Sequence, residues 1–266
     1  MSTIPTLGIT ISTLKQMRVD QEKIACLTAY DASFAKVLDA AGVDLILIGD
    51  SLGMVIQGHE STVSVSMDDV IYHTRCVSTV TQRALVVADM PFMSYTTIDR
   101  ALDNATRLMQ EGGAQMVKLE ATERQSDIVR EMTACGIPVC AHLGLRPQYI
   151  HKLGGYHVQG KDQESATELR NTATALQEAG ADMLLLECVP AALTEEITRS
   201  VGLPVIGIGA GSHCDGQILV LQDILGITPG KTPPFVRNYM SSGNTISQAV
   251  EQYVKEVKAG IFPKSD

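Results

Sequence analysis

The chain lacks the basic footprint of a nucleic-acid or membrane-surface protein. Its 266 residues carry 21 Lys and Arg against 30 Asp and Glu, a formal net charge of -9. That balance excludes wholesale binding to a polyanion, although an anionic small molecule needs only one or two local cations or a metal. There is no CxxC pair among the six cysteines, Cys26, Cys76, Cys135, Cys140, Cys188 and Cys214. Several of these lie in apolar runs, so buried, reduced thiols of a cytoplasmic protein are expected rather than a disulfide framework or a zinc site. No apolar run approaches membrane-spanning length. The start, MSTIPTLGITISTLKQMR, has no basic segment followed by an apolar one and does not read as a signal peptide. No G-x-G-x-x-G follows the first strand, which counts against a doubly wound dinucleotide-binding sheet.

What is present is enough apolar material, 45% of the residues, to bury a large core. One phrase recurs: small residues, a glycine, then an apolar run. It reads AGVDLILIGD at 41–50, GGAQMVKLE at 112–120 and AGADMLLLE at 179–187, with looser versions at 135–144 and 201–211. Gly42, Gly113, Gly136, Gly180 and Gly202 are expected to end helices in the left-handed conformation. The apolar runs alternate little, as strands covered on both faces do. Helical spacing fills residues 97–111, 164–179 and 244–259. Strands are expected near 24–28, 43–48, 84–88, 114–119, 137–141, 182–187, 204–208 and 219–225. Eight such βα units in this length predict an α/β protein of the (β/α)8 TIM-barrel class, one domain over 1–266. Two connections are long. Residues 51–66 contain an alternating STVSVS suited to a short β-arm. Residues 143–163 carry four glycines without helical period and suit a lid or binding loop.

In a parallel barrel every C-terminal strand end opens on one face, where active sites lie. The polar residues that end the expected strands are Thr28 to Asp31, Asp50 and Ser51, Asp89, Lys118 and Glu120, His142, and Glu187. A lone acid at a strand end is usually a helix cap or a solvated loop residue. Several acids meeting at one mouth would repel and resist desolvation unless a cation joined them. All-oxygen ligation suits magnesium, with Asp50 and Asp89 as ligands and Glu120 bound directly or through water. Lys118 and Glu120, two apart on a strand, point the same way. Lys118 either neutralises a substrate carboxylate or pairs with Glu120. Glu187 follows three leucines, and apolar surroundings should raise its pKa toward that of a general base. His142 either hydrogen-bonds substrate or caps its strand, and Ser51 is placed to donate to a bound carboxylate. GIGAGSHCDGQ (207–217) has the glycines of a phosphate loop or of a tight barrel turn, without a GK[ST] ending.

These residues sit in stretches that resemble one family over nearly the full chain. LTAYDASFA (27–35), LIGDSLGMVIQGHESTVSVSMDDVIYHTR (47–75), VVADMPFMSY (86–95), VKLE (117–120), PVCAHLGLRPQ (138–148), GGYHVQGK (154–161), LLLECVP (184–190) and IGIGAGSHCDGQILVLQDILG (206–226) are similar to ketopantoate hydroxymethyltransferases. GDSLGMV together with HLGLRPQ and GGYHVQG is a highly specific combination. The resemblance implies a magnesium-dependent barrel of the phosphoenolpyruvate-mutase-like superfamily acting on 3-methyl-2-oxobutanoate with 5,10-methylenetetrahydrofolate. It implies metal on Asp50 and Asp89 with Glu120 nearby, substrate on Ser51, Asp89 and Lys118, and Glu187 as the proton acceptor that yields a metal-stabilised enolate. It also implies a cytoplasmic homo-oligomer, a decamer. A metal-dependent lyase or mutase on a 2-oxo acid is the alternative enzyme, needing no folate. A barrel kept as a binding protein is the non-enzyme alternative.

Overall fold

Short apolar strands alternate with helices around a closed sheet. A computed structural model describes residues 8–264; residues 1–7, part of the start read for a leader, and residues 265–266 lie outside it. The strands are β1 (Ile24–Thr28), β2 (Leu45–Ile48), β3 (Leu85–Asp89), β4 (Met116–Glu120), β5 (Val139–Gly144), β6 (Met183–Glu187), β7 (Val205–Ile208) and β8 (Gly216–Leu219). Each pairs in parallel with the next, and β8 returns to β1. The helices are α1 (Ile11–Val19), α2 (Ala32–Ala40), α3 (Leu52–Val55), α4 (Met67–Ser78), α5 (Ile98–Gln110), α6 (Ser126–Ala134), α7 (Ile150–Leu153), α8 (Gln163–Glu178), α9 (Ala191–Ser200), α10 (Leu221–Leu225) and α11 (Ile246–Lys258). None is long and apolar enough to cross a membrane.

Two cores result from the two faces of each strand. Outward residues such as Ile46, Val86, Val117 and Leu184 pack under the helices. Inward residues fill the barrel: Ile24, Leu45, Leu85, Met116, Met183 and Ile206 toward the bottom, with Cys26, Leu47, Val87, Cys140, Leu185 and Ile218 above them. Leu14 and Met17 of α1, a helix not expected from the sequence, join this inner cluster and plug the barrel floor. Two residues farther along each strand the period-two alternation points inward again, and there the residues are Thr28, Asp89, Lys118, Glu120, His142 and Glu187. Register sets which of these are level: Asp89 with Lys118, and Glu120 with His142.

Several expectations need correction. The eighth strand is Gly216–Leu219, and most of the expected 219–225 is the buried helix α10. A short run of apolar residues does not distinguish the two by periodicity. What ends the strand is Thr28, whose Oγ1 accepts the Leu221 N–H at 3.1 Å in place of a ladder bond. STVSVS forms no β-arm. Its last serine, Ser66, caps α4, exchanging hydrogen bonds with Asp69 in a capping box. Gly42, Gly113, Gly136 and Gly180 have φ between 79° and 97°, but Gly202 is not left-handed, because α9 ends on extended Val201. All six cysteines are free; Cys135 is exposed rather than buried, since it follows the last turn of α6.

Candidate active site

A cavity of about 650 Å³ opens over the C-terminal strand ends and is lined by Asp50, Ser51, Lys118, Glu120, His142 and Glu187. Asp89 lies at its base, 0% exposed, with Lys118 Nζ 2.5 Å from its Oδ2. The ion pair expected with Glu120 is made with Asp89 instead, because Asp89 and Lys118 face each other across β3 and β4. The Asp50 N–H also donates to Asp89 Oδ2, at 3.2 Å. Asp31, by contrast, is a helix cap: its Oδ1 accepts the Ser33 and Phe34 N–H groups at 2.8 and 2.9 Å.

Four carboxylates share this mouth with one lysine, and their pKa values reflect it. Burial, then the Asp89 charge, pushes Asp50 up to about 7. Burial and the Asp50 charge push Glu120 well above the ordinary range. Burial alone works against the Lys118 ammonium, but Asp89, Asp50 and Glu120 outweigh it and raise its pKa, so it stays charged. Burial pushes Glu187 up to about 7, the direction its apolar strand predicts. His142 Nε2 lies 3.2 Å from Glu187 Oε2, yet neither ring nitrogen makes a hydrogen bond among the described residues. Burial, then the Lys118 charge, holds the imidazole well below its usual pKa, so it is neutral and the pair is no salt bridge. With no partner on its ring, His142 does not cap its strand through its side chain.

Asp89 Oδ1 and Glu120 Oε2 are buried with no hydrogen-bond partner among the described residues. Unpartnered carboxylate oxygens beside excess negative charge fit a hard divalent cation. No group of three or more His, Cys, Asp or Glu among the described residues gathers closely enough to enclose a metal. A magnesium ion held here would meet Asp50 and Asp89, with Glu120 close by, and would take its remaining positions from water and ligand.

Gln148 is the residue the sequence reading missed. It follows Pro147 in HLGLRPQ, a polar residue in an apolar stretch, and it is 3% exposed. Its Nε2 donates to Asp50 Oδ2 at 2.8 Å and to the Met90 carbonyl at 3.0 Å, and its N–H donates to Glu120 Oε1 at 3.1 Å. Tyr95 Oη, whose pKa burial drives far above normal, donates to Gln148 Oε1 at 2.6 Å. One amide thus fixes both carboxylates. Gln148→Leu should lower stability by about 1–3 kcal/mol, because near-equal volume leaves buried donors and acceptors unpaired. Urea unfolding would measure this, and an unchanged midpoint would show that the network carries no stability. Tyr30, just past the end of β1, places its hydroxyl 2.7 Å from Ser51 Oγ.

Backbone packing aims Glu187. Its carbonyl accepts the Leu145 N–H at 2.8 Å, and Cys188 follows it at φ 50°, a rare value for a residue with a side chain. Gly144, at φ 88°, has no room for a Cβ against the Glu187 carbonyl. The GIGAGSHCDGQ glycines serve packing: a Cβ at Gly207 would strike Cys214, and one at Gly216 the Ile24 backbone. The long loop after β5 reaches the mouth, where Tyr156 Oη donates to Met54 Sδ at 3.5 Å. Residues 228–235, not singled out in the sequence, form the opposite wall.

A family model described as ketopantoate hydroxymethyltransferase matches residues 8–265. A 3-methyl-2-oxobutanoate hydroxymethyltransferase of Alkalilimnicola ehrlichii is 56% identical over 255 residues, covering 96% of this chain and 92% of the relative. Among solved structures, phosphonopyruvate hydrolase complexed with oxalate and Mg++ aligns with TM-score 0.60 at 14% identity, over 79% of this chain and 80% of that one. A 2,3-dimethylmalate lyase, a member of the PEP mutase/isocitrate lyase superfamily, aligns with TM-score 0.56 at 14% identity, over 79% and 80%.

Proposed function

The chain belongs to the ketopantoate hydroxymethyltransferase family, and from that membership we propose how its barrel mouth performs the family's reaction. That reaction converts 3-methyl-2-oxobutanoate to ketopantoate in pantothenate biosynthesis. Our reading takes 5,10-methylenetetrahydrofolate as the one-carbon donor and residues 1–266 as one barrel domain. Asp50 and Asp89, with Glu120 adjacent, would hold a magnesium ion. When bound, that ion draws charge from the keto oxygen and acidifies the neighbouring C–H. The magnesium named for a fold neighbour and the unpartnered acidic oxygens support it.

The chain's own residues do the rest. Lys118 keeps N–H donors beyond the one on Asp89, and these meet the substrate carboxylate. Tyr30 Oη and Ser51 Oγ are 2.7 Å apart, and with Tyr30 as the donor of that pair the Ser51 proton is free for the same carboxylate. The pair fixes which face of the keto acid meets Glu187. Glu187 takes the proton from C3, leaving the electron pair on the enolate. C3 then bonds to the methylene carbon as its bond to N10 breaks, N10 taking that electron pair and the proton held by Glu187; a water oxygen next displaces N5 from the same carbon, one water proton going to N5 and the hydroxyl staying on the product, and tetrahydrofolate leaves. Neutral His142 has one ring N–H to give the bound keto acid. The observation that carries this reading is geometric: Glu187, in no ion pair with Lys118, lines the same cavity as Asp50 and Lys118, and burial raises its pKa to about 7. A cytoplasmic, decameric homo-oligomer is proposed from the family resemblance alone.

The test is a product assay with 3-methyl-2-oxobutanoate, with and without methylenetetrahydrofolate and with and without chelator. Ketopantoate should form only with the folate, and chelation should abolish it until magnesium is restored. Turnover of the keto acid without folate would favour a lyase or mutase instead.

A further inference from the structure

The cavity is far larger than a five-carbon keto acid needs; about 650 Å³ lies within the range of clefts for drug-sized ligands, roughly 300–1,000 Å³. Its lining includes Tyr156 and Val158 from the loop after β5 and Pro229, Pro233 and Phe235 from the segment after α10. Apolar surface from two such segments suits a flat heterocycle. Asp223, in α10, lines the same cavity and is 6% exposed. Its Oδ1 accepts the Thr228 hydroxyl, while Oδ2 has no hydrogen bond and the carboxylate no salt bridge among the described residues. The mechanism above does not use it. Its free oxygen is open to the cavity rather than sealed, so donors on a ligand can reach it and form charge-assisted hydrogen bonds.

We infer that Asp223 receives the pterin of the folate co-substrate through the aminopyrimidinone edge. That edge presents a ring N–H and an amino N–H side by side, spaced for one carboxylate, and Asp223 is the carboxylate the outer cavity offers. Lys231, exposed in that segment after α10 and in no ion pair among the described residues, then faces the glutamate carboxylates of the folate tail. The inference rests on the proposed folate-dependent reaction and gives its co-substrate a seat.

Asp223→Asn keeps an acceptor for Thr228 and removes the charge. It should raise the KM for methylenetetrahydrofolate and the Kd for tetrahydrofolate by about tenfold or more, the size of one lost charge-assisted hydrogen bond. The KM for the keto acid and C3 proton exchange without folate should follow wild type. A folate KM within twofold of wild type (about 0.4 kcal/mol) would overturn the seat while leaving the reaction intact. Failure of wild type itself to form ketopantoate would overturn the reading beneath it. If Asp223→Asn does not fold, Lys231→Ala decides. Wild type should bind tetrahydrofolate more tightly than the same pterin lacking glutamate, and Lys231→Ala should lose that difference. An unchanged difference would overturn the inference.

Discussion

Glu187→Gln is expected to lower kcat by about 100- to 10,000-fold, the usual contribution of a placed general base. The change is nearly isosteric, so the cavity, the Leu145 contact to the Glu187 carbonyl and the keto acid's other partners remain. What disappears is the lone acceptor for the C3 proton. The readout is exchange of that proton for deuterium, followed by NMR without folate, alongside the KM of the keto acid. Exchange should stop while the keto acid still binds. Rapid exchange in the variant would remove Glu187 from the role. The pH dependence follows from the same carboxyl. With its pKa pushed up to about 7, Glu187 is protonated and unable to accept below that value. For wild type kcat/KM should therefore rise as pH climbs toward about 7 and level off above it. The residual activity of Glu187→Gln should lack that acid limb.

Lys118→Met should be the most damaging change to the fold around the site. Lys118 and Asp89 are 4% and 0% exposed, and their ion pair at 2.5 Å is buried. Removing the lysine leaves Asp89 charged, desolvated and facing Asp50, and breaking such a pair costs about 3–5 kcal/mol. In a chain of this size that lowers the thermal midpoint by on the order of 10 °C. Methionine keeps the length of the stem, so lost packing does not explain the loss. Added magnesium should recover part of it, because a cation between Asp50 and Asp89 supplies the missing positive charge. Scanning calorimetry with and without magnesium measures both effects. A midpoint unchanged in metal-free buffer would show that the buried pair adds nothing to stability.

The barrel was legible because its signals are local and repeated. Seven of the eight strands fall where apolar runs predict them, five of those runs led by a glycine, and α5, α8 and α11 follow helical spacing. The eighth strand and α10 were confused because ILVLQDIL is apolar but for Gln222 and Asp223 and is buried in either conformation. Asp50, Ser51, Asp89, Lys118, Glu120, His142 and Glu187 were found by position alone, since a parallel barrel carries every strand end to one rim. Gln148, Tyr95 and Asp223 lie beyond the strands or in loops, and no spacing rule marks them. Their significance depends on what they touch.

By itself the sequence determined the order of elements, the inward alternation along each strand and the chemical types set at the mouth, because these depend on neighbours two to four residues away. The tertiary structure decided which charges pair: Lys118 with Asp89 rather than Glu120, His142 with no partner, and Gln148 binding Asp50 to Glu120. Those outcomes depend on register and burial between segments far apart in the chain, and differences of an ångström between such segments decide whether a charge is neutralised or left exposed to its like.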